Sequence, residues 1–136
     1  MNEPETIHRI LKESKTIAVV GLSDKQDRDS YLVAKYLKEN GYRIIPINPN
    51  ISEWMGIKAY ASLKDVPAKE KIDAVDIFRR SEFVSEIVNE AIETKAKAIW
   101  MQLGVVNEEA ARKAEDAGLL VVMDRCMRIE HRKMKI

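Results

Sequence analysis

Five short, almost uninterrupted apolar runs recur along the chain, at 17–20, 43–47, 74–78, 98–101 and 120–123, and they alternate with segments whose apolar residues repeat at helical spacing. Each run is too short for a core helix and too continuously apolar for a strand with one wet face. Strands buried on both faces belong to parallel sheets, and the helical segments between them supply the crossovers that parallel strands need. The pattern predicts an α/β fold of three layers, with a five- or six-stranded, mostly parallel sheet between two layers of helices. A short extra strand at 57–59 accounts for the sixth.

The helices are placed by their punctuation. Tyr31, Leu32, Val33, Ala34, Tyr36 and Leu37 repeat at helical spacing until Gly41 stops them. Ser81 reads as the cap of a helix carrying Val84, Ile87, Val88 and Ala91, and Asn107 as the cap of one that opens with Glu108 and Glu109 and ends near Gly118. An N-terminal helix within 1–14 presents Ile7, Ile10 and Leu11 on one face. Residues 127–136, with His131, Arg132 and Lys133, read as a basic tail. All 136 residues fit one domain.

Charge narrows the function classes. Lys and Arg total 23 against 22 Asp and Glu, so no general field draws the chain to nucleic acid or an anionic membrane. No apolar run nears the ~20 residues of a bilayer span. Cys126 stands alone and the first residues are acidic, which places the expected compartment in the cytoplasm. Two histidines and one cysteine at no ligand spacing give no metal site.

Ligands of open parallel sheets collect beyond the carboxyl ends of the strands, where the winding reverses. The first run breaks at Gly21 into the polar loop through Ser30 and then a helix, the form of a phosphate-binding turn. Gly21 is followed by Ser23 and Gln26 where the dinucleotide fingerprint has its second and third glycines, so Ser23, Arg28 and Ser30 stand in for close backbone approach. The second run ends in Asn48 and Pro49, without the carboxylate that grips the ribose in NAD sites. Arg79 and Arg80 follow the third run directly, and Met101 and Gln102 close the fourth. Cys126 and His131 raise a thiol–imidazole pairing as a separate chemistry, beside the reading of Cys126 as a small buried hydrophobe.

These residues, in order, carry a resemblance. Val19-Val20-Gly21-Leu22-Ser23 with Arg28, Ser30 and Tyr31, then Pro46-Ile47-Asn48-Pro49, Trp100-Met101-Gln102-Leu103-Gly104 and Asp124-Arg125-Cys126 with Glu130 and His131 resemble the small single-domain coenzyme A (CoA)-binding proteins. These are similar to the N-terminal CoA-binding domain of the succinyl-CoA synthetase α subunit. The resemblance implies a Rossmann-like fold. It implies Gly21, Leu22, Ser23 and Arg28 at the pyrophosphate, and Asn48 and Pro49 beside the adenosine. Ile77, Phe78 and Arg79 would lie along the adenine and ribose phosphate, and Met101 and Gln102 at the base or pantetheine arm. The synthetase's phosphorylated histidine comes from a second domain, so the expected function is binding of CoA or an acyl-CoA by a non-catalytic carrier, sensor or accessory module. The alternatives are an NAD(P)-binding oxidoreductase or redox sensor, and an acyltransferase or thioesterase using Cys126 or His131. A protein partner and self-association are left open.

Overall fold

The computed structural model describes residues 1–134 of the chain. Its central sheet holds five strands, all parallel: β1 (Thr16–Val20), β2 (Arg43–Ile47), β5 (Ala74–Ile77), β6 (Ala98–Met101) and β7 (Leu120–Val122), in the spatial order β2-β1-β5-β6-β7. The chain winds outward from β1 to β2, returns to the other side of β1 for β5, and continues through β6 to β7. The reversal therefore falls between β1 and β5.

The extra strand expected at 57–59 does not join this sheet. Instead β3 (Glu53–Trp54) and β4 (Ile57–Lys58) form a separate antiparallel hairpin. Its tip, Met55 and Gly56, holds positive φ at both residues (49° and 77°), as a two-residue turn matched to strand twist requires. The hairpin buries Trp54, whose ring meets Tyr31 edge-on at 5.6 Å.

Side chains alternate across the strands and feed two cores. On one face Ala18, Val75 and Ile99 pack under α3 (Val84–Glu93) and α4 (Glu108–Asp116), the latter burying only alanines. On the other, Ile17, Val19, Trp100 and Val122 pack under α1 (Pro4–Glu13), α2 (Asp29–Glu39) and α5 (Met127–Lys133). Asn107 caps α4 as expected, its Oδ1 accepting from the Ala110 N–H at 3.0 Å. Ser81 does not cap α3. It opens a short 3₁₀ turn, and its side chain joins the β5 loop to the β6 loop by accepting from the Val106 N–H at 3.0 Å.

The expected basic tail is a helix. Met127 and His131, four residues apart, share the buried face of α5, while Arg132 and Lys133 stay in solvent. His131 Nδ1 lies 2.7 Å from the Tyr36 hydroxyl of α2, and its ring meets Tyr36 and Tyr42 edge-on. Burial lowers the His131 pKa, which keeps the ring neutral in this aromatic clasp. Lys135 and Ile136 of the expected tail lie outside the described residues.

Each margin of the sheet carries a blocking contact. Asn2 makes two side-chain hydrogen bonds to the backbone of Met123, beyond β7, as a neighbouring strand would. At β2, Pro46 has no N–H to present, and its carbonyl accepts from Tyr60 N–H at 3.0 Å.

Candidate functional site

The crevice at the reversal point is built on one close approach. Gly21 ends β1 with φ +86°, and its N–H donates to the Ile47 carbonyl at 2.8 Å. On the other side the Phe78 N–H donates to the Val20 carbonyl at 2.8 Å. These bonds draw the loops after β1, β2 and β5 so close that a Cβ on Gly21 would stand 2.4 Å from the Phe78 carbonyl oxygen. Only glycine fits.

The loop that follows is held by its own polar groups. Leu22 is wholly buried and anchors it. The Ser23 N–H donates to Ser30 Oγ at 3.0 Å, and Ser23 Oγ accepts from the Lys25 N–H at 3.0 Å. Ser30 is buried, so the two serines shape the loop that ends at the amino end of α2. Arg28 stands at that end, exposed, and forms no ion pair among the described residues. The first N–H groups of α2 have no partner within the helix, and with the helix dipole and Arg28 they offer donors to an anion, beside the exposed carboxylates of Asp24, Asp27 and Asp29.

Asn48 ties the second loop to the first: its Nδ2 donates to the Leu22 carbonyl at 2.9 Å, and its Oδ1 accepts from the Asn50 N–H at 2.8 Å. Pro49 walls a cleft of about 150 Å³ that runs from the ends of β1 and β2 toward α3. Arg79 lines the same cleft, its guanidinium 4.5 Å from the centre of the Phe83 ring, whereas Arg80 points into solvent. Of the expected residues, Pro49 and Arg79 line this cleft, and Gly21, Asn48 and Phe78 stand at the strand ends beside it.

The remaining expected residues sit elsewhere around it. Ile77 and Met101 are wholly buried in the core under α3 and α4. Gln102 is buried, and its Oε1 accepts from the Met127 N–H at 3.0 Å, anchoring the start of α5. His131 is engaged by Tyr36, and Cys126 is packed in the core at the cap of α5. The Asp124 carboxylate accepts from the Gly104 N–H at 2.7 Å, while Arg125 donates to the Asp124 backbone carbonyl.

Three acidic residues outside the expected set stand out in the structure. Glu86 and Glu90, one helical turn apart on α3, line the cleft opposite Pro49. Asp76, paired in register with Val19 and Trp100, is wholly buried and neither of its oxygens has a hydrogen-bond partner. Desolvation lifts its pKa well above the carboxylate range. A lone Asp inside an apolar strand was the signal for it; Glu86 and Glu90 read in sequence as an ordinary solvated helix face.

Larger hollows of about 420 and 430 Å³ lie at the opposite end of the sheet, among residues that precede the strands, such as Ile72, Lys97 and Leu119. They lie at the amino ends of the strands and lack a strand-to-helix turn, so the smaller cleft is favoured. No described helix is long and apolar enough to cross a membrane.

Known proteins resemble this chain in sequence and fold. The profile of the CoA binding domain matches residues 15–132. The uncharacterized protein YneT of Bacillus subtilis is 47% identical over 125 residues, covering 92% of this chain and 91% of its own. A hypothetical protein from Pyrococcus horikoshii superposes with a TM-score of 0.93 at 42% identity, covering 98% of this chain and 93% of the other. The α subunit of the ADP-forming acetate–CoA ligase II of Pyrococcus furiosus is 32% identical over 104 residues, which span 74% of this chain but 22% of that subunit. With a parallel sheet, a glycine-bounded crevice at its reversal point and a family match along nearly its whole length, the chain belongs to the CoA-binding domain family.

Proposed function

We propose that this protein holds CoA or an acyl-CoA across the carboxyl ends of β2, β1 and β5, and that it acts as a carrier, sensor or accessory module without chemistry of its own. The observation that carries this reading is the pairing of a glycine-bounded strand-to-helix turn, flanked by Arg28 and Arg79, with Asn48 at the end of β2, where a nicotinamide site needs a carboxylate. In this reading the pyrophosphate lies on the backbone from Gly21 to Ser23 and on the amino end of α2, with Arg28 over it. The adenosine enters the cleft beside Pro49, and Arg79 faces the ribose phosphate. Phe78 and Arg80 border the phosphates, while Ile77 and Met101 support the floor and Gln102 fixes α5 beside it.

Thermal unfolding with and without ligand tests the proposal. CoA at one hundred times its dissociation constant stabilises by about 2.7 kcal/mol, on the order of 5–10 °C for a chain of this size. The reading fails if CoA and acetyl-CoA leave the transition where it was while NADH raises it. Arg79 supplies the finer test. Arg79→Ala should weaken CoA by roughly tenfold and 3′-dephospho-CoA by much less, since only CoA carries the phosphate that the guanidinium would grip. Equal losses in titration calorimetry would remove Arg79 from that role.

A further inference from the structure

We propose that Glu86 is a specificity-determining residue that accepts the exocyclic amino group of an adenine seated in the cleft; this rests on the CoA reading above. The cleft has two unlike ends. Pro49, Leu63, Ile87 and Phe83 give it apolar walls, Arg79 stands toward the reversal point, and Glu86 and Glu90 stand at the α3 side. About 150 Å³ encloses a ring of benzene size, and because the cleft is open to solvent the second ring of a purine can extend beyond it.

The charges decide which part of a nucleotide enters. Carboxylates only accept hydrogen bonds and repel phosphate, so the group that reaches α3 is uncharged and brings N–H donors. The 6-amino group of adenine does. The apolar walls and the Arg79–Phe83 pair suit its faces, and the guanidinium lies on the side from which a ribose phosphate would extend. Glu90 already accepts from the Lys64 N–H at 3.2 Å, which holds it in place at the rim. Glu86 is exposed and is in no hydrogen bond or ion pair among the described residues, so it is free to meet the base.

The test compares three ligands by titration calorimetry: CoA, its deaminated analogue with hypoxanthine for adenine, and 1,N6-etheno-CoA, in which the amino group is locked in a ring. The wild-type chain is expected to bind both analogues about tenfold more weakly than CoA. Glu86→Ala should bring the ratio of CoA to the deaminated analogue close to one, and Glu86→Gln, whose amide can accept from adenine or turn to donate to the hypoxanthine carbonyl, should lower the ratio while keeping CoA bound. All three ligands carry the same phosphates, so any relief of repulsion on removing the Glu86 charge cancels in the ratio. Equal affinities for the three ligands in the wild type, or a ratio that Glu86→Ala leaves unchanged, would overturn this proposal while the CoA reading stood. Failure of the wild type to bind CoA would overturn both.

Discussion

Gly21→Ala will lower stability by about 3–4 kcal/mol and remove CoA binding, as read by urea unfolding and calorimetry. Two penalties combine there. An L side chain at φ +86° costs on the order of 1–2 kcal/mol. The second is specific to this site: the new methyl group would stand 2.4 Å from a backbone carbonyl, that of Phe78, which cannot swing aside as a side-chain end can. The β1 and β5 loops must separate, and the crevice opens with them. Gly118→Ala is the control, since its φ is +91° with nothing within 4 Å of the added carbon. That variant should show the conformational cost alone and keep its ligand. Equal destabilisation by the two substitutions would mean that the Gly21–Phe78 approach does not shape the site.

Asp76→Asn should make the protein more stable at pH 7 and nearly unchanged at pH 4. The folded state holds the Asp76 proton because burial penalises the anion, whereas the unfolded chain releases it near the ordinary carboxylate value. Below that value both states are protonated and the stability contributed by the neutral group is fully present. As pH rises the unfolded state deprotonates first, and stability is lost at up to about 1.4 kcal/mol per pH unit until the raised folded pKa is passed. Asparagine cannot ionise, so the loss disappears. The gain is therefore expected at pH 7 and should shrink steadily as pH falls toward the ordinary carboxylate value. Urea midpoints measured from pH 4 to pH 8 for both proteins decide it, and parallel profiles would show that Asp76 is ionised in the folded state.

Much of this fold is legible because burial on both faces leaves an almost pure apolar record. The runs at 43–47 and 98–101 coincide with β2 and β6, and β1 extends its run by one residue because Thr16 is held in the sheet despite its hydroxyl. What escaped has physical causes. Two-residue strands have no periodicity, so only the second strand of the β3–β4 hairpin is expected, at 57–59 and in the main sheet, and the Met55-Gly56 turn lacks the usual Asn or Asp that would mark the hairpin. The basic residues around His131 mask a buried face that becomes visible only when Tyr36 and Tyr42 arrive from elsewhere in the chain. Ser81 has the residue type of a helix cap, but its hydroxyl is taken by the neighbouring loop. At the site, Gly21 and Arg79 announce themselves by their place after a strand. Glu86 and Glu90 do not, because an i, i+4 acidic pair on a helix looks the same whether it faces water or a cleft.

The blocking contacts at the margins of the sheet have a consequence for how this small fold keeps to itself. An open flank of a parallel sheet is a template on which another extended chain can grow, and the bare donors and acceptors of the outermost strand invite it. Here one flank is interrupted just past its last strand by a single carboxamide that impersonates a peptide group, and the other by a proline and a tyrosine's main chain. Lateral recruitment of further strands, the first step toward fibrous aggregates, therefore meets no continuous ladder on either side.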